Sequence, residues 1–503
     1  MKYVVCLLVA LAALPAAAET VWSEAEGDDS RVVRIVADAA DAPWPLLKHR
    51  LELQPSKTTH GNAAADYRRA FAENTTRGAW QEVRDMFAED KLDGEPLAER
   101  LYSSDIPLHE LPADKLRAIA GRFDSIIEGF VGPGTSRRRC DWELPTLDLS
   151  GPKLIALLLP EIQEMRSLSR AVALQTRHAL VEGDYQRAID LMRMNYTMGR
   201  DTAREPLLVC SLVGMAICGM ASENMFDLIG APDSPNMYWA LTTLPTPLVP
   251  INEAIQVEME LGKRVLPALL DVQSADYSYD EWNTHWKKGA RIFEEWHLYT
   301  DRSEAPAILD FAPVAFGLGG YTHAKARLVA WGYEPAVVEA MAVGQVLSLY
   351  SSRVYHDITD RMEVAHCVPF PESRALVAAV ETELQQRGPL SNHPDRELIP
   401  IASLLLPAVG SARGAEVRVD RTIAALRVIE ALRMHAAQND GALPKSLDEV
   451  TCVPIPMNPA TGKPFEYELK TLDDKPTAVL TLPKTDGVLP PTRIELTIRS
   501  TGS

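Results

Sequence analysis

From about Ala63 to Gly410, apolar residues recur at three- and four-residue spacing between Pro-containing breaks, which is the periodicity of amphipathic helices. The clearest stretches are DKLRAIAGRFDSIIEGF, KLIALLLPEIQEMRSLSRAVALQTRHALVEG, DYQRAIDLMRMNY, INEAIQVEMELGKRVLPALL and PAVVEAMAVGQVLSLYSSRVYHDITDRMEVAH. Pro160 is expected to kink or divide the second of these, because its ring removes a donor and crowds the preceding turn. The run PLLVCSLVGMAICGMAS, Pro206 to Ser222, carries no charge. It is shorter than the roughly 20 apolar residues of a membrane span and lacks a basic flank, so it is expected to be a buried central helix with Gly214 and Gly219 allowing close packing.

After VGSARG the pattern changes. RTIAALRVIEALRMHAAQ predicts a helix with Ile423, Leu426, Ile429 and Leu432 on one stripe, Asp420 as its N-cap and a stop at Asn439-Asp440-Gly441. FEYELK then alternates Phe465, Tyr467 and Leu469 with Glu466, Glu468 and Lys470, the period of a strand with one buried face. TAVLTL and RIELTIR predict two more strands, the last with Ile494, Leu496 and Ile498 opposite Arg493, Glu495, Thr497 and Arg499. Asp473-Asp474 and Asp486-Gly487 supply the turns. The expected fold is therefore mainly α: an irregular helical array over residues 19–410, then a small C-terminal α+β module over 411–503, a long helix on a short antiparallel sheet.

Residues 1–18 hold Lys2, an apolar run from Tyr3 to Leu14 and the small residues Ala16-Ala17-Ala18, the layout of a signal peptide cleaved before Glu19. The chain is thus expected to be exported, to periplasm, envelope or medium, with no transmembrane anchor after cleavage. Cys140, Cys210, Cys218, Cys367 and Cys452 would remain, too scattered for a disulfide framework or a zinc cluster. The formal charge of −18 argues against nucleic acid as a partner, since that affinity comes from neutralising phosphates.

Three resemblances sit on these segments. ALQTRHALVEGDYQRAIDLM, with a turn at Gly183 and then Tyr185 and Ala188, resembles the centre of a tetratricopeptide hairpin, although no recurrence at that family's period accompanies it. The tail, through Gly441, Pro444, Leu447, Asn458, Pro459, Gly462 and Tyr467, resembles the soluble part of type II secretion pseudopilins. Its helix lies deep in the chain and carries Arg421, Arg427, Glu430 and Arg433, so filament assembly is not implied; Asp473, Asp474 or Asp486 would be the counterpart of the calcium site some pseudopilins hold. PLLKHRLELQPSKTTHGNAAADYRRAF, RRRCDWELP and SPNMYWALTTLPTPLVPINEAIQVEMEL are similar to exported helical proteins of planctomycete-type bacteria. That resemblance implies export and a helical body and carries no catalytic residues across.

The search for chemistry removes more than it adds. In MNPATGKPFEY the T-G-K lacks the first glycine and the Ser/Thr of a phosphate-binding loop, with Met457 and Pro464 in their places, so it reads as a turn before a strand. No H-E-x-x-H or G-x-S-x-G occurs, and FGLGGYTHAK lacks dinucleotide-loop spacing. His356, Asp360, Glu363 and His366 are the metal candidates, one helix face with an imidazole, two carboxylates and a Glu-x-x-His pair. Trp282, Trp286, Phe293 and Trp296 form an aromatic stripe that suits core packing or, if exposed, a ligand platform. Arg137, Arg138 and Arg139 beside Cys140 could lower that thiol's pKa. The expectation is an exported, non-catalytic binding or scaffolding protein for a protein or envelope partner, needing no cofactor. An envelope hydrolase or metal-dependent enzyme is the alternative.

Overall fold

The computed structural model describes residues 19–24, 31–72, 75–92, 94–144, 160–270, 272, 276–286, 319–388, 390–398, 402–403, 407–484 and 492–499. The leader at 1–18 lies outside them. The fold is mainly α, with a small sheet to which the C-terminal strands contribute. The helices used below are α1 (Ala63–Phe71), α2 (Pro160–Val181), α3 (Tyr185–Thr202), α4 (Leu208–Gly230), α5 (Asn252–Val265), α6 (Val343–His366), α7 (Phe370–Gln386) and α8 (Pro407–Gln438). The strands are β1 (Glu19–Glu24), β2 (Arg31–Ala37), β3 (Glu466–Leu472), β4 (Lys475–Leu482) and β5 (Thr492–Ile498).

Helices α2 and α3 form the expected hairpin. The described part of α2 begins at Pro160; the residues before it, on which the expected kink or division bears, lie outside the described residues. Gly183 turns the chain at φ +74°, and the Asp184 side chain caps α3 by accepting from the Arg187 N–H at 3.0 Å. Helix α4 packs on both, and on α8 and β2. It is the one helix among the described residues long and apolar enough to cross a membrane, and 67% of its apolar window is buried within the protein. Gly214 meets Gly199 of α3 so closely that a methyl group on either would collide with the other helix's backbone. Gly219 plays no such part: a Cβ there meets nothing within 4 Å.

The tail departs from expectation in three ways. Helix α8 runs unbroken through 410–411, so the expected module boundary falls inside one helix, and Asp420 is mid-helix rather than an N-cap. Its carboxylate instead accepts the Leu248 N–H at 2.9 Å. The sheet has five strands in the order β1-β2-β5-β4-β3, because the two N-terminal strands join it. Val32, Val33, Ile35 and Val36 supply the β-branched side chains of β2, which pairs with β5 in parallel, Ile35 opposite Leu496; the other pairings are antiparallel. Lastly, β3 is an edge strand with Leu469 exposed, and Glu495 of β5 is buried where it bonds Arg34 Nε at 2.9 Å and Arg493 at 2.7 Å.

Turn chemistry follows the sequence where it is described; the expected turn at Asp486-Gly487 lies outside the described residues. Asp473 and Asp474 take φ of 49° and 59°, the left-handed pair of a two-residue hairpin between β3 and β4. The T-G-K stretch is a turn, closed by Asn458 N–H donating to the Lys463 carbonyl at 2.8 Å, with Gly462 at φ +67°. One buried hydrophobic cluster then runs from Val33, Leu480 and Ile494 in the sheet through Leu426 of α8 to Leu174 and Ile217 in the helices, so sheet and body share a core.

Candidate ligand-binding cavity

Where α4 and α8 pass one end of the sheet they leave a cavity of about 520 Å³. Such volumes fall in the roughly 300–1,000 Å³ range of small-molecule sites. Leu212, Met215, Met220 and Phe226 of α4 form one wall, Ala415 and Val419 of α8 another, and Val33, Leu482 and Ile494 the strand side. Gly219 opens directly into the space, since nothing lies within 4 Å of where its Cβ would be. Trp22 closes an end, its ring edge-on to Phe226 at 5.3 Å between centroids.

The charged groups are placed unevenly around this apolar lining. Arg31 lies over the Trp22 ring at 3.8 Å and is balanced by Asp105 at 3.2 Å and Glu223 at 3.5 Å. Arg418 and Arg421, one helical turn apart on α8, also line the cavity; Arg418 is exposed and Arg421 only 2% so. Arg421 Nη1 donates to the Pro483 carbonyl at 3.2 Å. Burial, reinforced by Arg418, pulls the Arg421 guanidinium down to about 10. Burial likewise pushes Glu223 up from the usual carboxylate range.

Comparison with protein-family models, with curated proteins and with solved structures finds no match. The cavity must therefore be read from its own chemistry: an apolar chamber with hydroxyls from Thr422 and Thr492 and a cationic side on α8.

The residues singled out from sequence lie elsewhere. All four metal candidates are on α6, but they do not converge, and no group of three or more His, Cys, Asp or Glu side chains that could hold a metal exists among the described residues. His356 Nδ1 is hydrogen-bonded to the Ser352 carbonyl at 2.6 Å and His366 Nδ1 to that of Met362 at 2.7 Å, each ring turned back on its own helix. Asp360 faces solvent, Glu363 accepts from Gln256 Nε2 at 3.3 Å, and His366 is buried. Burying α6 against α5 and α7 splits its polar stripe between core and surface.

The aromatic stripe is not a surface platform where it is described. Trp282 is 2% exposed, packed with Val272 and Ala342, and Trp286 joins the main core. Phe293 and Trp296 lie outside the described residues. Of the arginine run, Arg137 Nε bonds Asp66 at 2.7 Å and Arg138 Nε bonds Thr58 at 2.9 Å, while burial pushes the Cys140 thiol up rather than down. Sequence reasoning missed Trp22, Arg31, Arg418 and Arg421. The one available signal was the Arg418/Arg421 spacing on an otherwise apolar helix face.

Proposed function

We propose that the protein is an exported binding protein of the cell envelope, without catalysis of its own, and that the cavity between α4, α8 and the sheet receives its ligand. The observation that carries this reading is a chamber lined mainly by apolar side chains with a few polar and charged groups on its walls, among them the buried Arg421 guanidinium. Such sites fix a ligand by shape and a few polar groups. Export rests on the charge, apolar run and small residues of 1–18. The likeness of the tail to pseudopilin soluble parts supports a module reused for docking to envelope components. The metal candidates on α6 are not gathered into a group that could hold an ion.

Two measurements test this on the full chain. Expressed in a bacterium with two membranes, it is expected in the periplasmic or envelope fraction with Glu19 as its first residue; a cytoplasmic chain that keeps Met1 rejects export. Separately, the uncharged apolar dye N-phenylnaphthylamine is expected to bind saturably, and Gly219→Phe, which projects a ring into the open space, to abolish binding without loss of fold. Equal dye binding by both proteins would reject the cavity as the site.

A further inference from the structure

We infer that the open edge of β3 pairs with the same strand of a second copy of the chain, antiparallel about a two-fold axis at Leu469, with Glu468 of each copy facing Lys470 of the other. This interface is separate from the cavity and does not depend on the binding reading above. β3 ends the five-stranded sheet, and nothing among the described residues pairs with its outer side. Five of its seven residues are exposed, Leu469 among them at 37%. β1, at the opposite edge, is less open, since it lies beside the short turn Leu108–Glu110. The two-residue loop Asp473-Asp474 fixes which backbone groups of β3 point outward, because it makes Leu472 and Lys475 the closing hydrogen-bonded pair. Pairs alternate from there, so Thr471, Leu469 and Tyr467 turn their N–H and C=O groups away from β4. Pro476, which has no N–H to give, stands opposite Thr471 as this phase requires.

Unpaired edges attract other strands, and charges along them commonly deter that. On β3 the order of the charges deters some registers and favours one. Two copies bond only where outward residues meet outward residues, which places the two-fold axis at a residue position. Centred on Tyr467 or Glu468, glutamates face each other, and centred on Lys470 the two lysines do. Axes nearer either end leave part of the strand unpaired. Centred on Leu469, all seven residues pair, and each Glu468 stands opposite a Lys470. Opposite charges across a strand pair stabilise it and like charges oppose it. Glu468 and Lys470 already share one face of the strand, 2.6 Å apart, so in this register four charges alternate around the axis. The two Leu469 side chains meet on the other face. A two-fold interface of this kind closes on itself, so pairing stops at two copies. One strand pair is a small interface, and the −18 charge of each copy opposes approach, so the dimer is weak.

The test is sedimentation velocity on the full chain over a concentration series. A monomer–dimer equilibrium is expected, with a dissociation constant between about 10 μM and 1 mM. Glu468→Lys alone sets lysine against lysine, and Lys470→Glu alone sets glutamate against glutamate; each is expected to weaken dimerisation at least about tenfold. Mixing the two variants restores both opposite pairs and should recover association close to that of the native chain. Circular dichroism should show every variant folded, since both side chains are exposed. For the register, Leu469→Cys under mild oxidation is expected to give a covalent dimer beyond the background that exposed Cys367 sets in the native chain. Thr471→Cys, which faces Tyr467 of the other copy, should not. A chain that stays monomeric to about 1 mM overturns the inference. So does dimerisation that either charge substitution leaves unchanged, a mixture of the two variants that does not associate, or equal cross-linking at the two cysteine positions.

Discussion

Buried ionisable side chains differ in how completely their partners offset desolvation. Glu430 and Arg433 are fully buried and 2.9 Å apart, and Glu430 also accepts the Met237 N–H while Arg433 donates to Asp38 and Ser234 carbonyls at 2.9 Å. Arg177 and Asp227 are as buried but 3.6 Å apart, and burial pushes Asp227 up to about 7 and Arg177 down. Glu397 is the cleanest case, since burial lifts it to about 7 despite hydrogen bonds from Ala402 and Ser403. An unfolded glutamate titrates near 4.3, so between there and about 7 the folded state keeps a proton the unfolded state has released. The associated stability is full below the lower value and is lost as pH rises through the upper one, by at most about 4 kcal/mol. Urea denaturation of Glu397→Gln should therefore show a shallower fall in stability from acid to mildly alkaline pH than the native chain. An equal or steeper fall would contradict the assignment. The Arg177–Asp227 pairing was not legible from sequence, because it joins α2 to α4, whereas Glu430 and Arg433 stand three apart on one helix and Glu397 bonds residues just beyond it.

At the level of elements, α4 shows how one helix serves packing and function on different faces. Its Gly214 face is pressed against Gly199 of α3, while the Gly219 face borders the cavity. Overpacking a tight contact costs about 1–3 kcal/mol or more, whereas replacing an uncrowded helical glycine by alanine returns about 0.5–1 kcal/mol. Thermal unfolding should accordingly find Gly214→Ala markedly destabilised and Gly219→Ala unchanged or more stable. The reverse order would remove the helix contact as drawn. The apolar run of 206–222 sufficed to anticipate a buried helix, but not which glycine touches a neighbour. Likewise the stripe Ile423, Leu426, Ile429 and Leu432 is buried as read, while the start of α8 was misplaced because Asp420 resembles a cap locally yet bonds Leu248 across the fold.

For the whole molecule, the decisive feature is that the chain's two ends share one sheet. β2 lies beside β5 in parallel, Thr20 Oγ1 anchors β1 to the Phe226 carbonyl at 3.0 Å, and the core is continuous from sheet to helices. Residues 411–503 produced alone would expose the β5 edge and the α8 face that α4 covers. Open edges and apolar faces of that kind promote association. The fragment is expected to aggregate or to melt without cooperativity by circular dichroism, in contrast to the full chain. A monomeric, cooperatively melting fragment would restore it as an independent module.

The sequence by itself determined what depends on neighbours a few residues apart: the helical body, the Gly183 hairpin, the three tail strands, the Asp473-Asp474 turn and the rejection of a phosphate loop in MNPATGKPFEY. Periodicity, caps and turn residues are local, so they survive without knowledge of partners. Only the tertiary structure decided that 31–37 pairs with 492–498, that the polar residues of α6 diverge, that Trp282 and Trp286 are interior, and that Arg421 faces an apolar chamber. Each of these depends on which surfaces meet between separate elements, from tens to hundreds of residues apart, and no pattern along the chain encodes that meeting where side chains of the same type suit several partners equally well.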